Sequence, residues 1–388
     1  MNLSEIVDKI IELQQQGASP EGRVAEYLES TLRATGAQVE LQPFHFSTQT
    51  HAVVSGAVFL LSILFIFGIV KRRHRAAFFS ALAISLVLVL ELSLDFHVIS
   101  WPALEKANNI VVHFPVQDAA RVVVVGTHYG QAGVPVSGPF VETVSAFLFP
   151  MTLVMALLGL WQLAMHFGKL TFEDAHTITL IMGIVCSLYY ALWFVTLSHE
   201  GSHFPEDPHA EQNAGSMAVL AGLSQDLSQK YPRLQNTWVT VAFFGGTGSS
   251  GHGARQFARA FSRERGRGLP MQFIGCEQLG RGEIHACMIP GNTSADSLYT
   301  DRELVRILNR AALAVTGFQL HTITKGGVNS RGFVEFGHPT IAITTMPQEE
   351  RHVDGGRTDP HAIQRGQLIL SLQLIEKALL ELDKVRLR

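Results

Sequence analysis

The sequence predicts an α/β protein: a mixed, mostly parallel sheet with helices on both faces, interrupted by two transmembrane helical hairpins. Three observations predict it. The polar segments alternate short β-branched runs with amphipathic stretches, the pattern of strands and helices sharing one sheet. Four long apolar runs come in two pairs around short polar turns. The composition is lopsided, with 47% hydrophobic but only 16% charged residues. Soluble domains usually carry about 25% charge, so part of this chain is dissolved in something other than water.

Taken in order, residues 3–15 and 21–35 have helical periodicity, and Ser19-Pro20-Glu21 gives the second a cap-like start. Residues 38–44 alternate like a strand. Residues 52–70 are an uncharged apolar run, long enough to cross a bilayer core as a helix. The basic turn Lys71-Arg72-Arg73-His74-Arg75 follows, then a second apolar run over 76–94 whose one acid is Glu91. The positive-inside rule keeps such a turn cytoplasmic. Residues 109–114 and 121–126 are strands, with Val122 to Val125 reading as a buried central one. The second hairpin enters over 143–165, where Pro150 predicts a kink, and returns over 176–197. Beyond it come a helix (210–229), a strand (237–244), two strands (272–278 and 283–289), a helix (301–315), a strand (340–345) and a closing helix (360–384). No cleavable signal peptide is expected, because residues 1–46 are polar and amphipathic.

These elements divide the chain into residues 1–50, 97–140 and 199–388 for the polar domain, with hairpins at 51–96 and 141–198. Each hairpin returns the chain to its starting side, so the polar segments can join on one face. With a cytoplasmic basic turn, that face is extracytoplasmic, periplasmic in a bacterial inner membrane. The net charge of −3 and the lack of a basic stripe with interleaved aromatics exclude nucleic acid as an expected partner. Three cysteines make no disulfide scaffold. Cys276 and Cys287 flank Leu279-Gly280-Arg281-Gly282, which reads as a turn. A symmetric hairpin there sets the two thiols opposite one another, either bridged on an oxidising side or reduced in the core.

Two short motifs carry chemistry of their own. His199-Glu200-x-x-His203, with His209 six residues later, has the spacing of a helical zinc site with Glu200 as base. Gly201, Pro205 and Pro208 work against that helix, and the competing reading is a polar, membrane-proximal linker. Gly246-x-Gly248-x-x-Gly251 follows a strand but lacks the acid expected on the next strand of a dinucleotide site.

The polar segments together carry a resemblance. Residues 123–130 (VVVGTHYG) resemble a strand that delivers a histidine ligand. Residues 210–216 (AEQNAGS) resemble a helix start that gives a bridging carboxylate. Residues 241–257 resemble a strand and loop bearing a Glu-Glu pair, residues 273–282 (FIGCEQLGRG) a strand with a further acidic ligand, and residues 326–345 with His352 a final strand and last histidine. In this order they resemble the di-zinc aminopeptidase family, which also contains glutaminyl cyclases and the ectodomains of transferrin receptor and nicastrin. The resemblance implies metal positions at His128, Glu277 and His352. It also implies losses: Gly130 stands where the supporting Asp belongs, Gln212 replaces the bridging carboxylate, Thr247 and Gly248 replace the base and the next ligand, and Asn329-Ser330 replaces a common Asp-His. Two adjacent dications need a carboxylate between them and a base to deprotonate the bridging water. The expectation is therefore a membrane-anchored pseudopeptidase that needs no cofactor. It would act as a binding or scaffold subunit in the bilayer, with a protein partner in a membrane complex and a peptide or small molecule as ligand. The competing expectation is a zinc-dependent peptidase whose metal site is rearranged around His199, His203 and His209.

Overall fold

The computed structural model describes residues 2–15, 20–46, 50–93, 99–101, 104–130, 144, 146–168, 173–202, 213–230, 234–246, 251–264, 268–288, 301–324, 328–346 and 363–385. The chain forms two compact units. One comprises Met1–Phe44, Lys106–Val134 and Glu206–Arg388, and the other His45–Glu105 and Pro135–Pro205.

The first unit is built on strands β1 (Val39–Phe46), β2 (Glu105–Phe114), β3 (Arg121–His128), β4 (Thr237–Phe244), β5 (Met271–Glu277), β6 (Glu283–Met288), β7 (His321–Thr324) and β8 (Thr340–Met346). They form one sheet in the order β1-β2-β4-β3-β5-β8-β6-β7. The pairs β3/β4, β3/β5, β5/β8 and β6/β7 are parallel, while β2/β4 and β6/β8 are antiparallel. Every residue of β3 is buried. That explains its unbroken Val122–Val125 run, because a parallel strand covered on both faces needs no polar side.

Helices α1 (Leu3–Gln15), α2 (Pro20–Ala34), α7 (Ala214–Lys230), α9 (Arg302–Thr316) and α11 (Arg365–Lys384) contribute to the larger core on one face. Asp301 caps α9 by accepting from the N–H groups of Glu303 (2.8 Å) and Leu304 (2.9 Å), and Gly317, with φ +79°, ends it. The opposite face carries α8 (His252–Glu264) and α10 (Val328–Val334) over an aromatic cluster. Phe273 and Phe333 stack there at 3.8 Å between ring centroids, and Phe244 tilts against both. Gly126 makes room for this cluster: a Cβ there would lie 2.5 Å from the Phe244 ring and 2.8 Å from that of Phe273.

One sequence expectation is corrected by this topology. Residues 272–278 and 283–289 do not close as a hairpin, because β8 lies between β5 and β6. Cys276 sits opposite Ile343, and Cys287 opposite Ala342 on the other side of the same strand. Two strand spacings amount to about 9.6 Å, beyond the roughly 7 Å that a disulfide can bridge. Both thiols are free and buried. The sequence reading also passed over α8, α10 and the short β7.

The second unit contains α3 (Thr50–Val70), α4 (His74–Leu88) with a π-helical extension Val89–Ser93, α5 (Leu148–His166) and α6 (Glu173–Ser202). All four helices are long and apolar enough to cross a membrane, over Ala52–Val70, His74–Glu91, Leu148–His166 and His176–Leu197. Close helix approaches depend on glycine. A Cβ on Gly68 would meet the backbone N of Ala77 at 2.8 Å, and one on Gly159 would meet Ala81 Cβ at 2.6 Å. The polar pattern is inverted relative to a water-soluble bundle. Ser55, Ser62 and Gln162 are buried, while Leu60, Phe79, Phe149 and Leu188 each expose more than 60% of their surface. Pro150 does not kink a longer helix. It falls in the first turn of α5, where its missing N–H has no partner to lose. Glu91 turns to the chain that follows it, accepting from the N–H groups of Ile99 and Ser100 and from Ser100 Oγ at 2.8 Å.

Two glycines on helices of the first unit should respond oppositely to alanine. At Gly215 a Cβ would lie 1.9 Å from the Leu279 carbonyl oxygen, whereas at Gly366 nothing lies within 4 Å. Gly215→Ala is expected to destabilise by about 3 kcal/mol through overpacking. Gly366→Ala is expected to stabilise by roughly 0.5 kcal/mol through helix propensity. Urea unfolding of the purified chain measures both signs.

Candidate functional site

The parallel strands β3, β5 and β8 end on one edge of the sheet, at His128, Glu277 and Met346. The strand that follows β3 in sequence pairs on one side of it, and β5 pairs on the other, so the connections diverge at β3. In open α/β sheets the crevice beyond the strand ends at such a switch point is where ligands bind.

Asn213, just before α7, organises this edge. Its Nδ2 donates to Thr127 Oγ1 at 2.9 Å and to the His128 carbonyl oxygen, while its Oδ1 accepts from Gln278 N at 3.2 Å. Ser216 Oγ accepts from Leu279 N at 3.0 Å, and Thr345 Oγ1 accepts from Arg281 N at 2.9 Å and donates to the Gln278 carbonyl oxygen. The helix start and the ends of β3, β5 and β8 are thus joined by side-chain bonds to backbone. On the β4 side, Gly246 N donates to Glu21 Oε1 at 2.5 Å, and Asn109 accepts from Gly245 N at 3.3 Å while donating to the Gly253 carbonyl oxygen at 2.9 Å.

His128 is buried, and its Nδ1 lies 3.0 Å from Asn329 Nδ2 on α10. With the amide as donor, Nδ1 is the acceptor and the ring is the neutral Nε2–H tautomer. Burial agrees, lowering its pKa from 6.5 to about 4. Continuing the β3/β5 register sets His128 level with Glu277, which pairs with Thr344, then His285, then His321. Directly paired residues share a sheet face, so these five polar residues form a row on the α10 side. Asn329 Oδ1, Ser330 Oγ and Thr344 Oγ1 are buried and unpartnered among the described residues.

The sequence named His128, Glu277 and Asn329-Ser330, and the fold brings these to one edge. The backbone of Gly130 is also described there, just beyond β3. The backbone of His199 and Glu200 belongs to α6. His203, His209, Gln212, Thr247, Gly248 and His352 lie outside the described residues. Among the described residues no three His, Cys, Asp or Glu side chains converge as a metal site would require. The sequence reading missed Thr344, His285 and His321, since their common row is set by strand pairing between distant segments. It also missed Glu21 as a partner of the β4 loop, which lies 225 residues away.

No family model and no curated protein matches the sequence. Solved structures match the fold. A glutaminyl cyclase from an Acidobacteriales bacterium is 12% identical with a TM-score of 0.53, covering 97% of this chain and 92% of that one. A zinc aminopeptidase from Bacillus subtilis is 11% identical with a TM-score of 0.51, at 99% and 97% coverage. A Zn-dependent exopeptidase from Parabacteroides distasonis is 12% identical with a TM-score of 0.50, again at 99% and 97%. The fold is that of the zinc exopeptidases. At these identities the likeness is one of architecture, and the chemistry has to be argued from the residues of this zinc-exopeptidase fold.

The His128 environment sets a pH dependence. The folded ring resists protonation down to about pH 4, whereas the unfolded ring takes a proton near 6.5. Its contribution to stability is therefore complete above pH 6.5 and is lost as pH falls through the window to about 4. Between pH 7 and 4.5 the wild-type chain should lose about 2–3 kcal/mol more than His128→Asn. Equal losses in paired urea titrations would contradict the neutral, buried assignment.

Proposed function

We propose that this is a membrane-anchored, peptidase-like protein that binds a ligand or partner without hydrolysing it, as a recognition or scaffold subunit of a membrane complex. The observation that carries the reading lies in the sequence: the positions that supply negative oxygens in the zinc-dependent resemblance hold Gly130, Gln212, Thr247 and Gly248. Neutral amide, hydroxyl and glycine groups cannot offset two adjacent dications or deprotonate a bridging water. The His128 ring nitrogen is also engaged by the Asn329 amide. These residues do not fit a zinc pair, and no catalytic step is assigned through one. The described residues His128, Asn329, Ser330 and Thr344 supply uncharged hydrogen-bonding groups, with Glu277 the one carboxylate of the His128 row, a lining that suits recognition.

The membrane part of the reading rests on four helices of spanning length with polar side chains inside and apolar ones outside. The basic turn Lys71–Arg75 supports a cytoplasmic tip for the first hairpin and, with it, the reading that the zinc-exopeptidase-like unit is extracytoplasmic.

The test is elemental analysis of the full chain purified without chelator, combined with an aminopeptidase assay. The expected outcome is zinc well below one ion per chain, no hydrolysis, and neither quantity changed by Glu277→Ala. Two zinc ions per chain that are lost in that variant, or turnover abolished by His199→Ala, would replace this reading with the zinc peptidase.

A further inference from the structure

We propose that the basic tip of the first hairpin is a binding site for the phosphate headgroup of an anionic phospholipid; this rests on the membrane-spanning reading above. Residues 71–75 hold Lys71, Arg72, Arg73 and Arg75 directly after the α3 span. All four are exposed, and none has an ion-pair partner among the described residues.

Charge count alone would make this an ordinary cytoplasmic loop. The backbone makes it more specific. Arg73 N donates to the Gly68 carbonyl oxygen at 2.7 Å and Arg72 N to that of Ile69 at 2.9 Å, the paired bonds of a Schellman helix end. Arg72 occupies the left-handed position of that motif, with φ +53°. Glycine is the usual residue there, because a Cβ disfavours the conformation. A cation in place of glycine breaks a local rule for no gain in the turn itself, which is how functional positions commonly show themselves.

The cluster is also fixed from the second hairpin. Arg75 Nε donates to His166 Nε2 at 2.8 Å, and His74 Nδ1 lies 2.7 Å from Gln162 Oε1, which is buried. The Arg75 bond uses one of five guanidinium N–H groups, and the rest remain available in a fork that matches phosphate oxygens. α4 begins at His74 with no side-chain cap, so its first-turn N–H groups add to the positive field. Cations held at the water end of two adjacent helices lie at the depth of a lipid phosphodiester. A bilayer leaflet supplies that group next to the spans without diffusion from solution, so the occupant is lipid and not free phosphate.

The experiment is native mass spectrometry of the full chain in a neutral detergent, titrated with phosphatidylglycerol or phosphatidylcholine. The expected result is retention of phosphatidylglycerol at least about tenfold over phosphatidylcholine, with each cation worth up to about fivefold. The preference should collapse in Lys71→Gln/Arg72→Gln/Arg73→Gln/Arg75→Gln. It should survive in Lys71→Arg/Arg72→Lys/Arg73→Lys/Arg75→Lys, which tests charge with the fold kept. Equal retention of the two lipids by wild type, or an undiminished preference in the glutamine variant, would overturn the proposal. Displacement of phosphatidylglycerol by millimolar inorganic phosphate would overturn the lipid as occupant. Alkaline washing of membranes isolates the underlying reading: a chain released by the wash is not membrane-spanning, whereas a retained chain without lipid preference sinks this proposal alone.

Discussion

Asn213 supplies two donors and one acceptor at the point where three elements of the sheet edge meet. It holds Thr127 and the His128 carbonyl at the end of β3, and the backbone N–H of Gln278 just past β5. An aspartate of the same shape would turn an oxygen toward the His128 carbonyl oxygen, which can only accept, so only the amide satisfies all three. Each bond contributes about 1 kcal/mol net, and each costs more if its buried partner is left unpaired. The arrangement also sets how closely α7 can approach, and Gly215 packs onto the Leu279 carbonyl as a result. The crevice edge inherits its geometry from this junction.

On that framework the local electrostatics favour neutrality. The His128 ring is buried and uncharged, partnered by an amide from α10. The Ser330 and Thr344 hydroxyls are buried on the same side of the sheet, and Glu277, level with His128 on β5, is the one carboxylate of the row. Such a lining is stable at neutral pH because it holds few charges to desolvate. It suits the reading of shape and hydrogen-bond pattern, which is the physical basis for proposing recognition on a zinc-exopeptidase fold.

The helical unit follows a different solvent logic. Its hydroxyls fold back onto their own helices: Ser55 Oγ donates to the Ala52 carbonyl oxygen at 2.9 Å, Ser62 to that of Phe59 at 2.7 Å and Thr152 to that of Leu148 at 2.7 Å. Such bonds would meet the demand of hydrocarbon surroundings, where no water completes a bond, but Ser224 and Ser262 of the first unit bond back in the same way. Packing rests on glycines that admit a neighbouring helix, with large apolar side chains turned outward.

Local pattern made much of this protein legible. The valine run of β3, the strand of residues 237–244 and the four apolar runs were readable because burial on both faces, or an apolar stretch of spanning length, leaves a signature within a short window. His128 and Glu277 were singled out differently, as positions that the resemblance to the aminopeptidase family implies. Strand order was not, because backbone hydrogen bonds carry no sequence code: only the tertiary structure inserts β8 between Cys276 and Cys287 and so separates the two thiols. The pairing of His128 with Asn329 spans 201 residues and the reach of Glu21 to Gly246 spans 225. Contacts of that range are decided by how whole faces pack together, and a periodicity read over ten residues contains no term for them.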